Sequence, residues 1–256
     1  MTAKKHLPLF RYIQKLHGSK PWGSVLDAGT GVQSLRWMAD IGTESWTAVS
    51  AAASHAAPLR KALGKAIRKQ DRIIIGNWID ASLLKGEIFD TVIADYLLGA
   101  IEGFSPYFQP FLFRRLRPLT RGVLYVKGLE PYVPIPLPDS EAGRLLWDIG
   151  RHRDACVMLG GDMPYREYPA PWVSAHLQGA GFTVRSLKHF PAVYKARFVN
   201  AQMDIAAAGL SKLSDAKLAA ALTSRGEELR AKALEHIKTE GAIRFGRNYV
   251  IAAKPV

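Results

Sequence analysis

Between Ser24 and Lys127 the chain repeats one pattern: a short apolar run, a polar residue at its end, then a stretch with helical spacing. The runs are Ser24-Val25-Leu26, Trp46-Thr47-Ala48-Val49, Arg72-Ile73-Ile74-Ile75, Phe89-Asp90-Thr91-Val92-Ile93-Ala94 and Gly122-Val123-Leu124-Tyr125-Val126. Consecutive apolar positions suit strands buried on both faces, and a helix between two strands is the usual parallel crossover. The alternation therefore predicts an α/β fold built on a doubly wound, mostly parallel sheet. Ligands of such sheets bind beyond the carboxyl ends of the strands. That rule places Asp27, Ser50, Asn77, Asp95 and Lys127 on one rim.

The first strand runs straight into Asp27-Ala28-Gly29-Thr30-Gly31, and then into the helix-patterned Ser34-Leu35-Arg36-Trp37-Met38-Ala39. Glycines let a strand-to-helix turn pass close to a ligand, and the helix N-terminus offers unpaired N–H groups. A carboxylate at this place would repel a pyrophosphate and suits a ligand that carries positive charge. A dinucleotide fingerprint fits less well, because Ser34 stands where the third glycine belongs. An acidic residue about twenty positions on, which would hold a ribose, is also missing.

With its apolar strand followed by Asp-x-Gly-x-Gly, the chain resembles the class I S-adenosylmethionine-dependent methyltransferases. The resemblance covers about residues 20–130 and the closing strand Asn248-Tyr249-Val250-Ile251-Ala252-Ala253. It implies a seven-stranded sheet whose last strand inserts antiparallel, and S-adenosylmethionine as cofactor. Asp27 with Gly29, Thr30 and Gly31 would hold the amino acid end of that cofactor. Ser50 stands where the family places an acid for the ribose. Asn77-Trp78 would meet the adenine, with a turn Asn and a core Trp as the structural alternative.

Asp95-Tyr96 falls where such enzymes meet the methyl donor or substrate. Base-methylating enzymes carry Pro-Pro after that acid, and this chain has Leu97-Leu98 after Tyr96. Ribose 2′-O-methyltransferases pair such an Asp with a Lys after the fifth strand, and Asp95 and Lys127 match those two places. Their second Lys and their Glu are absent, with Arg11 and Asn248 near the two positions.

After Lys127 the pattern changes. Pro131, Pro134, Pro136 and Pro138 give an extended segment, and a helix is expected from Ser140 to about Leu159. A second Pro-rich stretch from Met163 to Trp172 leads to a helix over 172–179, then a sixth strand opens at Gly181-Phe182-Thr183-Val184. A charged helical region covers about 199–239. The expectation is one domain over 1–256: a cofactor half at about 20–130, a lid at about 130–172 and a helical excursion at about 199–241. Candidate pocket residues in the lid are Glu130, Tyr132, Arg151, His152, Arg153, Tyr165, Tyr168 and Trp172. Glu130, His152 and Tyr96 are the candidate catalytic groups, since methyl transfer often uses a base titrating near neutrality.

Formal net charge is +13, which can serve nucleic acid, an anionic surface or an anionic substrate. Lys61, Lys65, Arg68 and Arg72 recur at helical spacing opposite Leu59, Leu63, Ala66 and Ile67, which predicts a solvated helix face. Nucleic acid is allowed by the charge but not favoured by its pattern. There is no zinc-ligand spacing, so no metal is expected. Cys156, the only cysteine, lies in an apolar run and points to a buried thiol in a reducing compartment. No apolar stretch reaches transmembrane length, and Lys4-Lys5-His6-Leu7-Pro8 does not open a leader. A cytoplasmic protein without a membrane partner is expected. The functional expectation is methylation of a small molecule, an anionic one among the candidates; the alternatives are an RNA 2′-O-methyltransferase and a non-catalytic cofactor binder.

Overall fold

Among the described residues seven strands form one sheet: β1 (Ser24–Asp27), β2 (Ser45–Ser50), β3 (Arg72–Ile75), β4 (Phe89–Asp95), β5 (Thr120–Leu129), β6 (Phe182–Tyr194) and β7 (Ile243–Pro255). Their spatial order in this computed structural model is β3-β2-β1-β4-β5-β7-β6. Residues 7–133 and 137–256 are described. The N-terminal Lys4-Lys5-His6 and the prolines 134 and 136 lie outside them.

From β3 to β5 every neighbouring pair is parallel. β7 runs against both its neighbours. Arg247 O accepts from Glu130 N–H, and Tyr249 lies against Gly128, so positions fall along β7 as they rise along β5. Likewise Val256 N–H donates to Gly181 O while Tyr249 meets His189. The strand order and the inserted antiparallel strand agree with the expected fold.

The β4–β5 register slips once. Phe89 pairs with Thr120, but Thr91 pairs with Val123, so β5 carries one extra residue at Arg121-Gly122. A Cβ on Gly122 would sit 2.5 Å from Asp90 O, so the bulge needs glycine there. Beyond the bulge Asp95 lies opposite Lys127. Without it Val126 would take that place, and Lys127 would point to the other face.

Contacts divide the chain into two units. The first comprises residues 1–128, 167–189 and 249–256; the second comprises 129–166 and 190–248. The sequence predicts one domain with a lid and a helical excursion, and these two stretches fall largely together in the second unit. They supply one helical unit, because α6 (Glu141–Leu159), α8 (Ala196–Leu210) and α9 (Ala216–Glu240) pack on one another. Its core includes Cys156, Ala206 and Leu210. The expected single helical region breaks at 211–215, where the Asp215 side chain caps α9 by accepting from Leu218 N–H at 3.0 Å.

In the first unit the sheet is covered by α1 (Pro8–His17), α2 (Val32–Asp40), α3 (Ala56–Leu63), α4 (Leu97–Ala100), α5 (Gln109–Leu116) and α7 (Ala170–Gly179). Leu26, Val92, Leu112, Leu116, Leu124 and Ile251 are fully buried between strands and helices. One expectation about charge fails here. α3 stops at Leu63, before Arg68 and Arg72, so the basic residues do not share a helix face. Arg68 clamps Asp71 and Thr43, while Arg72 opens β3 and reaches Thr47 and Glu87. Gly64, at φ +51°, turns the chain out of the helix.

Candidate functional site

The carboxyl ends of β1, β2, β4 and β5 bring Asp27, Thr30, Gly31, Ser50, Asp95, Tyr96 and Lys127 to one rim of the first unit. Asp27 is completely buried, and among the described residues neither of its carboxylate oxygens has a hydrogen-bond partner. Burial raises its pKa to about 7, the nearby Asp95 charge pushes the same way, and Lys127 pulls it back. The Ser34 and Thr30 hydroxyls also favour the carboxylate by proximity, without hydrogen-bond geometry. Ser34 is engaged elsewhere: its hydroxyl donates to Gly31 O at 2.9 Å and accepts from Gly31 N–H at 3.0 Å. That exchange closes the turn into α2.

The two glycines of the turn do different work. A Cβ on Gly29 would lie 2.8 Å from the Leu97 side chain, so this glycine lets α4 pack against the turn. Among the described residues a Cβ on Gly31 would meet nothing within 4 Å. Gly31 therefore faces open space at the mouth of α2, and Thr30 Oγ1 beside it is buried without a partner.

Asp95 and Lys127 form an ion pair at 2.6 Å, with Lys127 only 3% exposed. The ammonium lies 3.6 Å from the centroid of the Phe10 ring on α1 and 5.0 Å from that of Tyr96. Tyr96 adopts the left-handed region at φ 51°, and its N–H donates to Lys127 O. A non-glycine residue held there stores strain, and such strain concentrates at functional sites. Ser50 is buried at the end of β2, and its hydroxyl accepts from Ala52 N–H at 3.4 Å.

Asn77 and Trp78 are placed differently from the expected adenine contact. Asn77 Nδ2 donates to Phe104 O at 2.9 Å, and its Oδ1 accepts from Ile79 N–H and the Ser105 hydroxyl. The amide thus braces two loops. Trp78 is 3% exposed and donates its indole N–H to Ala28 O at 2.6 Å. It is a core residue that holds the floor of the Asp27 turn.

Two expected catalytic groups lie in the second unit. His152 is packed between α6 and α9, where a Cβ on Gly226 would come within 2.9 Å of its ring. Its Nε2 is 3.6 Å from Cys156 Sγ, and burial followed by the Arg225 charge lowers its pKa. That setting is helix packing within the second unit. Glu130 is half-buried, with its N–H in the β5–β7 ladder. Arg153 is buried and bound to Asp154, Tyr132 and Gln202, so it holds the second unit together. Arg151 stacks over Trp147. Tyr165 also belongs to the second unit and is exposed.

Tyr168 and Trp172 belong to the first unit, where they stack at 4.0 Å and lead on to His176. The sequence reading missed Phe10 and Glu167. Phe10 looked like one more apolar position of α1. Glu167 sits in a Pro-rich loop without periodicity, yet its carboxylate occupies the space a Gly99 side chain would need on α4.

Among the described residues no cluster of His, Cys, Asp and Glu is placed to hold a metal, and no helix is long and apolar enough to cross a membrane. No family model and no curated protein matches the chain. Solved structures do. BH2331 from Bacillus halodurans C-125, a proposed methyltransferase, matches with TM-score 0.60 at 15% identity, over 96% of this chain and 99% of that one. The [4+2]-cyclase SpnF matches with TM-score 0.58 at 15% identity, over 96% of this chain and 79% of that one. Mycolic acid cyclopropane synthase CmaA1, solved with SAH and CTAB, matches with TM-score 0.55 at 15% identity, over 94% and 83% of the two chains. At this identity the likeness establishes the fold, which is that of the class I methyltransferases.

Proposed function

We propose that the chain is an S-adenosylmethionine-dependent methyltransferase acting on a small molecule, an anionic acceptor being favoured by the +13 charge. The observation that carries this reading is Asp27, a completely buried carboxylate without a hydrogen-bond partner beside a turn left open at Gly31. A buried carboxylate with nothing to bind is costly. A ligand bringing an ammonium group would remove that cost, and the amino acid end of S-adenosylmethionine carries one. The unpartnered Thr30 hydroxyl and the N-terminal amides of α2 suit the neighbouring carboxylate of the same ligand.

The fit is good at this end and weaker at the other. Ser50 offers one hydroxyl toward the ribose, and Asn77 and Trp78 are engaged in the fold. When bound, S-adenosylmethionine supplies an activated methyl group. The chain's contribution is to bind and orient: Asp27 holds charge, the Asp95–Lys127 pair fixes the end of β4, and Tyr96 is presented there by its strained backbone. Calorimetry with S-adenosylmethionine and its demethylated product tests the reading. Absence of binding by either would sink it, and binding without turnover of any acceptor would leave the non-catalytic alternative.

The Asp95–Lys127 ion pair supports a second reading, ribose 2′-O-methylation of RNA. Against it, Lys127 is buried under Phe10, and Arg11 at the place of the missing lysine is exposed. Salt-sensitive binding of structured RNA that depends on Lys127 would favour this alternative.

A further inference from the structure

A cavity of about 330 Å³ lies in the first unit, at the amino-terminal halves of β4 and β5. Its walls are the last turn of α1 with Lys20-Pro21, and its floor includes Thr91, Val123, Tyr125 and Ala252. Thr91, Val123 and Ala252 leave room beside Tyr125, and the β5 bulge puts Gly122 at the corner. The candidate methyl-transfer rim is at the opposite ends of the same strands.

The uncharged polar groups of this cavity are already matched to one another. His17 Nε2–H donates to Pro21 O at 3.2 Å, so its Nδ1 accepts from the Tyr125 hydroxyl at 3.1 Å. Thr91 Oγ1 donates to Trp22 O, and Ser186 Oγ bonds Tyr12 Oη. The single acid, Asp90, accepts from Ser24 and Arg121. Three cations line the same space: Lys20, Arg185 and Lys254. Among the described residues none of their side chains has an ion-pair or hydrogen-bond partner. The interior thus asks for an apolar body, and the rim asks for negative charge. A volume near the lower end of small-molecule sites, about 300–1,000 Å³, sets the size.

We propose that this cavity binds a small amphipathic carboxylate, its apolar body over Val123 and Ala252 and its head among Lys20, Arg185 and Lys254. The assignment does not rest on the methyltransferase reading, since it needs neither cofactor nor turnover.

Calorimetry of the full chain with sodium octanoate, octanamide and sodium acetate tests it. Octanoate should bind with 1:1 stoichiometry, and the amide and acetate should each bind about ten-fold or more weakly, because each lacks one half of the recognition. The exposed double variant Arg185→Glu/Lys254→Glu should lose about ten-fold in octanoate affinity with an unchanged melting temperature. Val123→Phe, which fills the floor and keeps the cations, should lose binding as well. Should that variant fold poorly, the charge variant decides, together with the His17 ring proton shifts in the wild type on adding octanoate. Equal affinity for octanoate and octanamide, octanoate binding indifferent to the charge reversal, or an unmoved His17 signal would each overturn the proposal.

Discussion

At the amino ends of the strands in the first unit, the carboxylates of Asp71 and Asp90 are fully served. Asp71, before β3, accepts from Trp46 N–H, from Arg68 N–H and from the Arg68 guanidinium. Asp90, in β4, accepts from the backbone and hydroxyl of Ser24 and from Arg121. At the carboxyl ends of the same sheet Asp27 has no hydrogen-bond partner among the described residues, and Asp95 has a lysine that is itself buried. The two ends share a core and a solvent, so the difference is one of purpose. Amino-end acids close the fold, and in the proposed function the carboxyl-end acid is the one that serves a ligand.

Removing an acid at each end should separate these roles. Asp71→Ala strands a guanidinium and two backbone N–H groups. It should lower stability by about 3 kcal/mol in chemical denaturation, with cofactor affinity unchanged in the protein that remains folded. A comparable loss of affinity at fixed stability would erase the contrast.

Asp27→Asn should do the reverse. The folded carboxyl keeps its proton up to about pH 7, while the unfolded one loses it near its ordinary value of 3.8. Its contribution to stability is therefore full below about pH 4 and declines as pH rises to 7, by an amount on the order of 4 kcal/mol. The Asn variant should be flatter over that window and more stable at pH 8 by about 2 kcal/mol, yet bind S-adenosylmethionine about 100-fold more weakly. In the wild type, cofactor affinity should rise with pH up to about 7, with one proton released per ligand bound. Calorimetry at pH 6 in buffers of different ionisation enthalpy measures that proton. A pH-independent affinity would break the argument built on Asp27.

The glycine turn allows a finer cut. Gly31→Val should cost about 100-fold in cofactor affinity with stability within about 1 kcal/mol, because its Cβ enters open space. Gly29→Ala should show the opposite split, losing about 1–3 kcal/mol of stability against Leu97. The smallest effect is expected at Ser50. Ser50→Asp would offer the ribose two charge-assisted bonds and should tighten S-adenosylmethionine binding about ten-fold, on the order of 1–2 kcal/mol. The 2′,3′-dideoxy analogue should hardly respond. Weaker binding of the natural cofactor would remove the ribose assignment of Ser50.

The strands were legible because β-branched runs ending in polar residues are a local signal, whereas the antiparallel insertion of the last strand came only from the family resemblance. Asp27, Asp95 and Lys127 could be placed on one rim by topology alone. What stayed hidden depends on register and packing. The bulge at Arg121-Gly122 cannot be read from the run Gly122–Lys127, although it decides which residue faces Asp95. Trp78 and Asn77 matched a pattern by position, but their partners, Ala28 O and Phe104 O, come from other segments. The helix spacing of Lys61 to Arg72 outlasted the helix, since Arg68 is drawn off to Asp71 and Thr43. His152 could not be recognised as a packing residue without Gly226, which is far away in sequence.

The position of β7 between β5 and β6 has a consequence for how the molecule is made. The first unit is assembled from three separate stretches, and its last, residues 249–256, fills an interior place in the sheet. During synthesis β1 to β5 can pair as they emerge, but β6 has no strand to join until Tyr249–Val256 has been made. A nascent chain would therefore carry an exposed β5 edge through the synthesis of more than a hundred residues, residues 130–248, which is the condition under which strands mispair or aggregate. Closing so long a loop comes late on the folding path. Ribosome-stalled chains ending before residue 249 should stay protease-sensitive in β6, and release of the full chain should protect it.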